Sequence, residues 1–129
     1  MVSKDALDAT DVVQALVGQS FVQLCVGVGE AQLRFTGESA IVVESAVEVG
    51  EAGPAAPSTL EGLALLLPLL SGDVSAAAVS DPGELSLVIS GTTVRCAGDT
   101  RFEAWNYTGP AGELVVSRPG VGLAIFGPR

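Results

Sequence analysis

The chain has 129 residues, 48% hydrophobic and 16% charged, enough length and apolar content to bury a core and too little charge for a disordered segment. Fifteen Asp and Glu face six Lys and Arg, a formal charge of −9, and there is no His. The charge disfavours nucleic acid and anionic membrane as partners, since phosphate recognition needs clustered cations and Arg34, Arg95, Arg101, Arg118 and Arg129 are scattered. The missing His removes the commonest catalytic base and metal ligand.

The N-terminal Met1-Val2-Ser3-Lys4-Asp5 lacks the pattern of a signal peptide, and the longest apolar run, Leu63 to Leu70, is too short to span a bilayer. A cytoplasmic location is the expectation. The first element is a short helix capped by Asp8 or Thr10, carrying Val12, Val13, Leu16 and Val17 and stopped at Gly18. Strands then follow at Phe21–Val28 and Gln32–Thr36, and a third from Ala40 to Val49, with turns at Gly29-Glu30 and Gly37-Glu38. Residues 50–57, rich in Gly and Pro, read as a linker.

Ser58-Thr59-Leu60-Glu61 has the form of a capping box for a second helix bearing Leu60, Leu63, Ala64 and Leu67, which Pro68 should kink or end. Three more strands are expected at Val74–Val79, Glu84–Ser90 and Thr92–Ala97. A shift of 54 positions superposes Leu16 on Leu70, Gly18 on Gly72, Gly29 on Gly83, Glu30 on Glu84, Leu33 on Leu87 and Gly37 on Gly91. The chain therefore reads as one domain, residues 1–129, with duplicated units at about 8–49 and 58–97 in pseudo-twofold packing, and an extension at 101–129. The expected class is α+β: two short helices packed on antiparallel meanders of about eight strands.

The extension turns at Thr108 to Gly112 and at Arg118-Pro119-Gly120, giving a terminal hairpin of Glu113–Ser117 and Val121–Phe126. Its first part, Arg101 to Tyr107, holds three of the six aromatic residues, including the single Trp and the single Tyr. The motif Phe102-Glu103-Ala104-Trp105, followed by a Gly-rich hairpin ending Gly122-Leu123-Ala124-Ile125-Phe126, resembles a family of small uncharacterised bacterial domains, of actinobacterial type. This copy lacks the Tyr and the terminal Trp of that pattern. The resemblance implies a bacterial, single-domain, non-secreted protein, and it carries no activity.

Nucleophilic catalysis needs Ser, Cys or Thr beside a base, and only carboxylates or Lys4 remain for that role. The densest acids, Glu44, Glu48 and Glu51, alternate along a strand into a linker, and Gly27-Val28-Gly29 leads to a strand instead of a phosphate-binding helix. Cys25 and Cys96 follow no ligand spacing and read as buried free thiols. The chain is thus expected to be no enzyme and to need no metal or cofactor. The expected function is a protein-binding module, in its sharpest form an acidic inhibitor or immunity-type protein for a basic partner. The candidate binding residues are Arg101, Glu103, Trp105, Asn106 and Tyr107. Trp105 and Tyr107 could anchor an interface, or wall an aromatic small-molecule pocket between the sheets, or belong to the core. A structural, self-associating subunit is a further alternative, since open strand edges invite pairing.

Overall fold

A computed structural model of the chain describes residues 3–99, 101, 103–120 and 122–127. Met1, Val2, Phe102, Val121 and Arg129 lie outside the described residues. The class is α+β, two short helices with two antiparallel sheets.

Helix α1 spans Lys4–Val13 and starts earlier than its interior Asp8 and Thr10 suggest. Ser3 is the N-cap, its hydroxyl accepting the Ala6 N–H at 3.2 Å. Ala6, Ala9 and Val13 recur at helical spacing and are fully buried, and a 3-10 turn, Gln14–Leu16, follows. Helix α2 spans Leu60–Leu66, and its cap is Thr59, whose hydroxyl accepts the Gly62 N–H at 3.2 Å. The reciprocal Ser58–Glu61 box does not form, because the chain enters the helix one residue later. Pro68 sits in the 3-10 turn Leu67–Leu69 that ends α2, as a residue without a backbone donor requires.

The first meander is β1 (Phe21–Gly27), β2 (Glu30–Phe35) and β3 (Ala40–Val43); β4 (Val47–Val49) follows. The second is β5 (Val74–Ser80), β6 (Glu84–Ile89) and β7 (Thr92–Cys96), after which come β8 (Trp105–Thr108), β9 (Leu114–Ser117) and β10 (Leu123–Phe126). The described residues form ten strands in place of the expected eight or so. The expected strand Ala40–Val49 is two strands in different sheets, and the aromatic segment adds one before the terminal hairpin β9–β10.

One sheet has the order β1-β2-β3-β8-β9-β10 and the other β4-β7-β6-β5. The chain therefore changes sheets after each meander. β4 leaves β3 to pair with β7, and β8 leaves β7 to pair with β3. The two crossovers touch: the Ala104 carbonyl accepts the N–H groups of Glu44 and Ser45, and the Ser45 hydroxyl donates to the Ala97 carbonyl at 3.1 Å.

The two meanders share their irregularities. β1 has a bulge between Phe21 and Gln23, and β5 has one between Val74 and Ala76, 53 positions on. Gly18 and Ser71 both have positive φ (92° and 74°), as do Glu38 and Gly91 (64° and 80°), again 53 apart. The β1–β2 turn is one residue shorter than Asp81-Pro82-Gly83, so β2 and β6 match at 54 while the first and third strands match at 53. Near the sheet origins, Ser20 and Asp73 form an antiparallel bridge.

The core lies between the sheets. Leu33, Ile41, Val43, Trp105, Tyr107 and Val115 from the larger sheet face Val47, Val74, Val79, Leu85, Leu87 and Val94 from the smaller. α1 packs on β5 and reaches β10, so it closes one side of the sandwich, while α2 packs against β4.

Candidate functional site

The five residues singled out in the sequence do not form one cluster. Strand alternation divides β8: Trp105 and Tyr107 point into the core, and Asn106 points outward. Trp105 is 1% exposed, and its Nε1–H donates to the Gly83 carbonyl at 2.9 Å. Tyr107 is fully buried, with its hydroxyl 3.4 Å from Ser39 Oγ. Burial pushes its phenol above the usual range, the Ser39 contact opposes this, and the Glu113 charge adds to the rise. Ser39 in turn accepts from Gln19 Nε2 at 2.9 Å, and Gln19 Oε1 accepts the Gly37 N–H at 2.9 Å. A Cβ at Gly37 would lie 2.6 Å from the end of the Gln19 side chain, which would have to move aside.

Both aromatic rings are thus structural. A pocket walled by them would require the sheets to part. Two shallow surface depressions, one lined by Cys25, Gly27, Glu30 and Gln32 and the other by Arg34, Thr36, Glu38 and Ala40, include neither ring.

Arg101 and Glu103 are exposed in the β7–β8 crossover. Arg101 donates its backbone N–H (2.8 Å) and its Nε–H (3.3 Å) to Asp99, and these hydrogen bonds hold the Asp99 carboxyl below its usual range. Glu103 leads into Ala104, the carbonyl that ties the crossovers together.

Asn106 belongs to a surface the sequence reading missed, the outer face of the six-stranded sheet. Cross-strand registers place Cys25, Gln32, Val42, Asn106, Val116 and Ala124 in one row across that face. Gln23, Arg34, Ala40, Thr108, Leu114 and Phe126 form the adjacent row. Val42, Leu114, Val116 and Ala124 are half-buried, and Phe126 is 50% exposed. A signal was present in the chain. β9 and β10, Leu-Val-Val-Ser and Leu-Ala-Ile-Phe, are apolar on both parities, whereas a strand with one wet face alternates.

The end of this face where β2 begins and β3 ends carries Glu30 and Glu44, with Glu103 entering β8 and Arg118 leaving β9 beside them. None of those three acids makes an ion pair among the described residues, where the pairs are Lys4–Asp8, Arg95–Glu84 and Arg101–Asp99. No group of three or more Cys, Asp or Glu at metal-binding geometry occurs among the described residues, and none of the described helices is long and apolar enough to cross a membrane. Both thiols are free; Cys96 is buried, while Cys25 is only half-buried on the outer face, against the expectation that both would be enclosed.

A family model described as a family of unknown function (DUF6188) matches residues 12–127, and the chain belongs to that family. No curated protein and no solved structure matches it.

Proposed function

From within a family of unknown function, we propose that this chain is a non-catalytic protein-binding module that engages a basic partner through the outer face of its six-stranded sheet. The observation that carries the reading is that face itself. An apolar band of Val42, Leu114, Val116, Ala124 and Phe126 runs beside Gln32, Asn106 and Thr108, with acid in surplus at one end. Interfaces combine an apolar centre with a polar rim in this way, and complementary charge speeds encounter with a cationic partner. In its sharpest form the module is an inhibitor of immunity type, blocking a basic protein.

The residue composition and the Phe102-Glu103-Ala104-Trp105 motif support a bacterial, cytoplasmic protein. The shared bulges, left-handed residues and element order support reading the two meanders as a duplication.

Capture of partners from the native host at low and at high salt tests the proposal. A stoichiometric basic partner is expected, released by salt and by Val116→Lys, with Glu44→Lys slowing association. A partner indifferent both to salt and to Val116→Lys would overturn the reading, as would recovery of no stoichiometric partner.

A further inference from the structure

We propose that β1 is a pairing edge for a second copy of this chain, the two β1 strands running antiparallel about a twofold axis through Cys25. The inference begins from a difference between the two meanders. The outer edge of β5 is occupied: the Thr10 hydroxyl accepts the Val79 N–H at 2.9 Å and donates to the Val79 carbonyl at 3.0 Å, and Gln14 Nε2 donates to the Ala77 carbonyl. α1 thereby satisfies the backbone of an edge strand that would otherwise invite pairing.

The corresponding edge residues of β1, 53 positions earlier, are Leu24 and Val26. The residues that correspond to Thr10 and Gln14 are Leu63 and Leu67, hydrocarbons with nothing to donate or accept. α2 packs against β4 and its own 3-10 turn. β1 lies at the end of its sheet; its first residue, Phe21, bonds the Gly72 carbonyl and the Ser71 N–H, and beyond that point β2 is its one strand neighbour among the described residues. Backbone groups alternate in direction along a strand, so Gln23, Cys25 and Gly27 serve β2, as their counterparts Ala76, Ala78 and Ser80 serve β6, and Leu24 and Val26 point out of the sheet.

Edge strands are normally blunted by charge, by Pro or by a bulge. From Phe21 to Val28 there is no charge and no Pro, and the bulge lies at the start, before the regular stretch from Gln23. Val22, Val26 and Val28 are 52%, 48% and 104% exposed. In a chain of net charge −9, this is a segment that can meet its own copy without opposing carboxylates.

The sequence of the segment selects a second copy over other occupants. Val22-Gln23-Leu24-Cys25-Val26-Gly27-Val28 has the same apolar pattern read in either direction from Cys25. A twofold contact is self-complementary, so a palindromic strand suits it. Antiparallel pairing centred on Cys25 sets Leu24 against Val26 of the second copy on the core side, with the exposed Val22 and Val28 at the two ends of the contact. The outward-pointing groups of Leu24 and Val26 then bond each other reciprocally. Cys25 faces its own counterpart as a non-hydrogen-bonded pair with Cα atoms about 4.5 Å apart, which lies within the span of a disulfide. The two six-stranded sheets become one continuous sheet, joined strand to strand.

This pairing does not depend on the basic-partner reading, and either can fail alone. Light scattering over a range of concentrations, combined with oxidation by copper phenanthroline, tests it. The oxidant takes two electrons and two protons from a thiol pair and reports on whether Cys25 meets Cys25. The wild-type chain is expected to show a two-chain mass and to cross-link. Cys25→Ser should keep the two-chain mass and lose the cross-link, and Val26→Lys should lose both while its circular dichroism stays native. Val28→Lys, at a fully exposed position, serves if Val26→Lys does not fold. A single-chain mass throughout would overturn the proposal, as would a dimer untouched by these lysines. A lysine-sensitive dimer in which Cys25 does not cross-link would overturn the twofold at Cys25.

Discussion

The indole of Trp105, in β8 of the larger sheet, donates a hydrogen bond to the carbonyl of Gly83, in the β5–β6 turn of the smaller sheet, at 2.9 Å. The bond joins the two layers through a residue 1% exposed. Trp105→Phe keeps an aromatic ring but leaves a buried carbonyl without a donor, which costs about 1–3 kcal/mol. Urea denaturation should show that loss, and wild-type fluorescence should be blue-shifted until the cooperative transition. A Trp105→Phe variant as stable as the wild type would show that the bond is not needed to hold the layers.

Thr10 satisfies both backbone groups of Val79 at the β5 edge. Thr10→Val is nearly isosteric and removes the hydroxyl from both bonds. It should destabilise the chain by about 1–3 kcal/mol, whereas Thr10→Ser should stay near wild type. Hydrogen exchange at the Val79 amide localises the effect, with faster exchange expected in the valine variant alone.

Ser117 is fully buried, and its hydroxyl finds no partner among the described residues. A buried hydroxyl without a hydrogen bond is a desolvation cost with no return. Ser117→Ala should therefore leave stability unchanged or raise it by roughly 1 kcal/mol. Thermal denaturation of the pair of proteins decides it, and a clear loss would mean that the hydroxyl is engaged.

Burial pushes the Cys96 thiol from its ordinary 9.0 up to about 12, and the nearby Glu84 charge adds to this. A folded-state value above the unfolded one means that the stabilisation is complete below pH 9 and is lost as pH rises toward 12. Stability to urea should therefore begin to decline at about pH 9 and go on falling above it. Cys96→Ala should flatten that decline, even though it lowers stability at neutral pH by emptying a core position. The phenol of Tyr107 is also raised, from 10.0, so the comparison is made below that value.

Much of the fold was legible in the chain. Period-two alternation located β2, while the repeat and the turns at Asp81-Pro82-Gly83 and Ser90-Gly91 located β6 and β7. The error at Ala40–Val49 has a physical cause. The buried parity runs unbroken through Ile41, Val43, Val47 and Val49, because both sheets face the same core, so the change of sheet leaves no trace in the pattern. The Ser58 cap failed for a similar reason, since Ser58 and Thr59 offer the same hydroxyl and only the chain's path into the helix selects between them.

The candidate site was legible only in part. An aromatic segment in a small acidic chain is compatible with core and with surface, and the parity of β8 settles the matter by turning Trp105 and Tyr107 inward and Asn106 outward. The apolar outer band was visible in β9 and β10 as strands without polar alternation. Its extent needed the pairing of β3 with β8, residues more than sixty positions apart, which no local pattern encodes.

By itself the sequence determined the chemistry available: no imidazole, a surplus of carboxylates, two thiols and enough apolar residues for two layers. Those are properties of residues and survive any arrangement of the chain. Tertiary structure decided which groups are left to act, because exposure is a property of neighbours. It buried the aromatic rings, opened one sheet face, and covered the β5 edge with Thr10 and Gln14 while giving Leu24 and Val26 of β1 no such partner among the described residues.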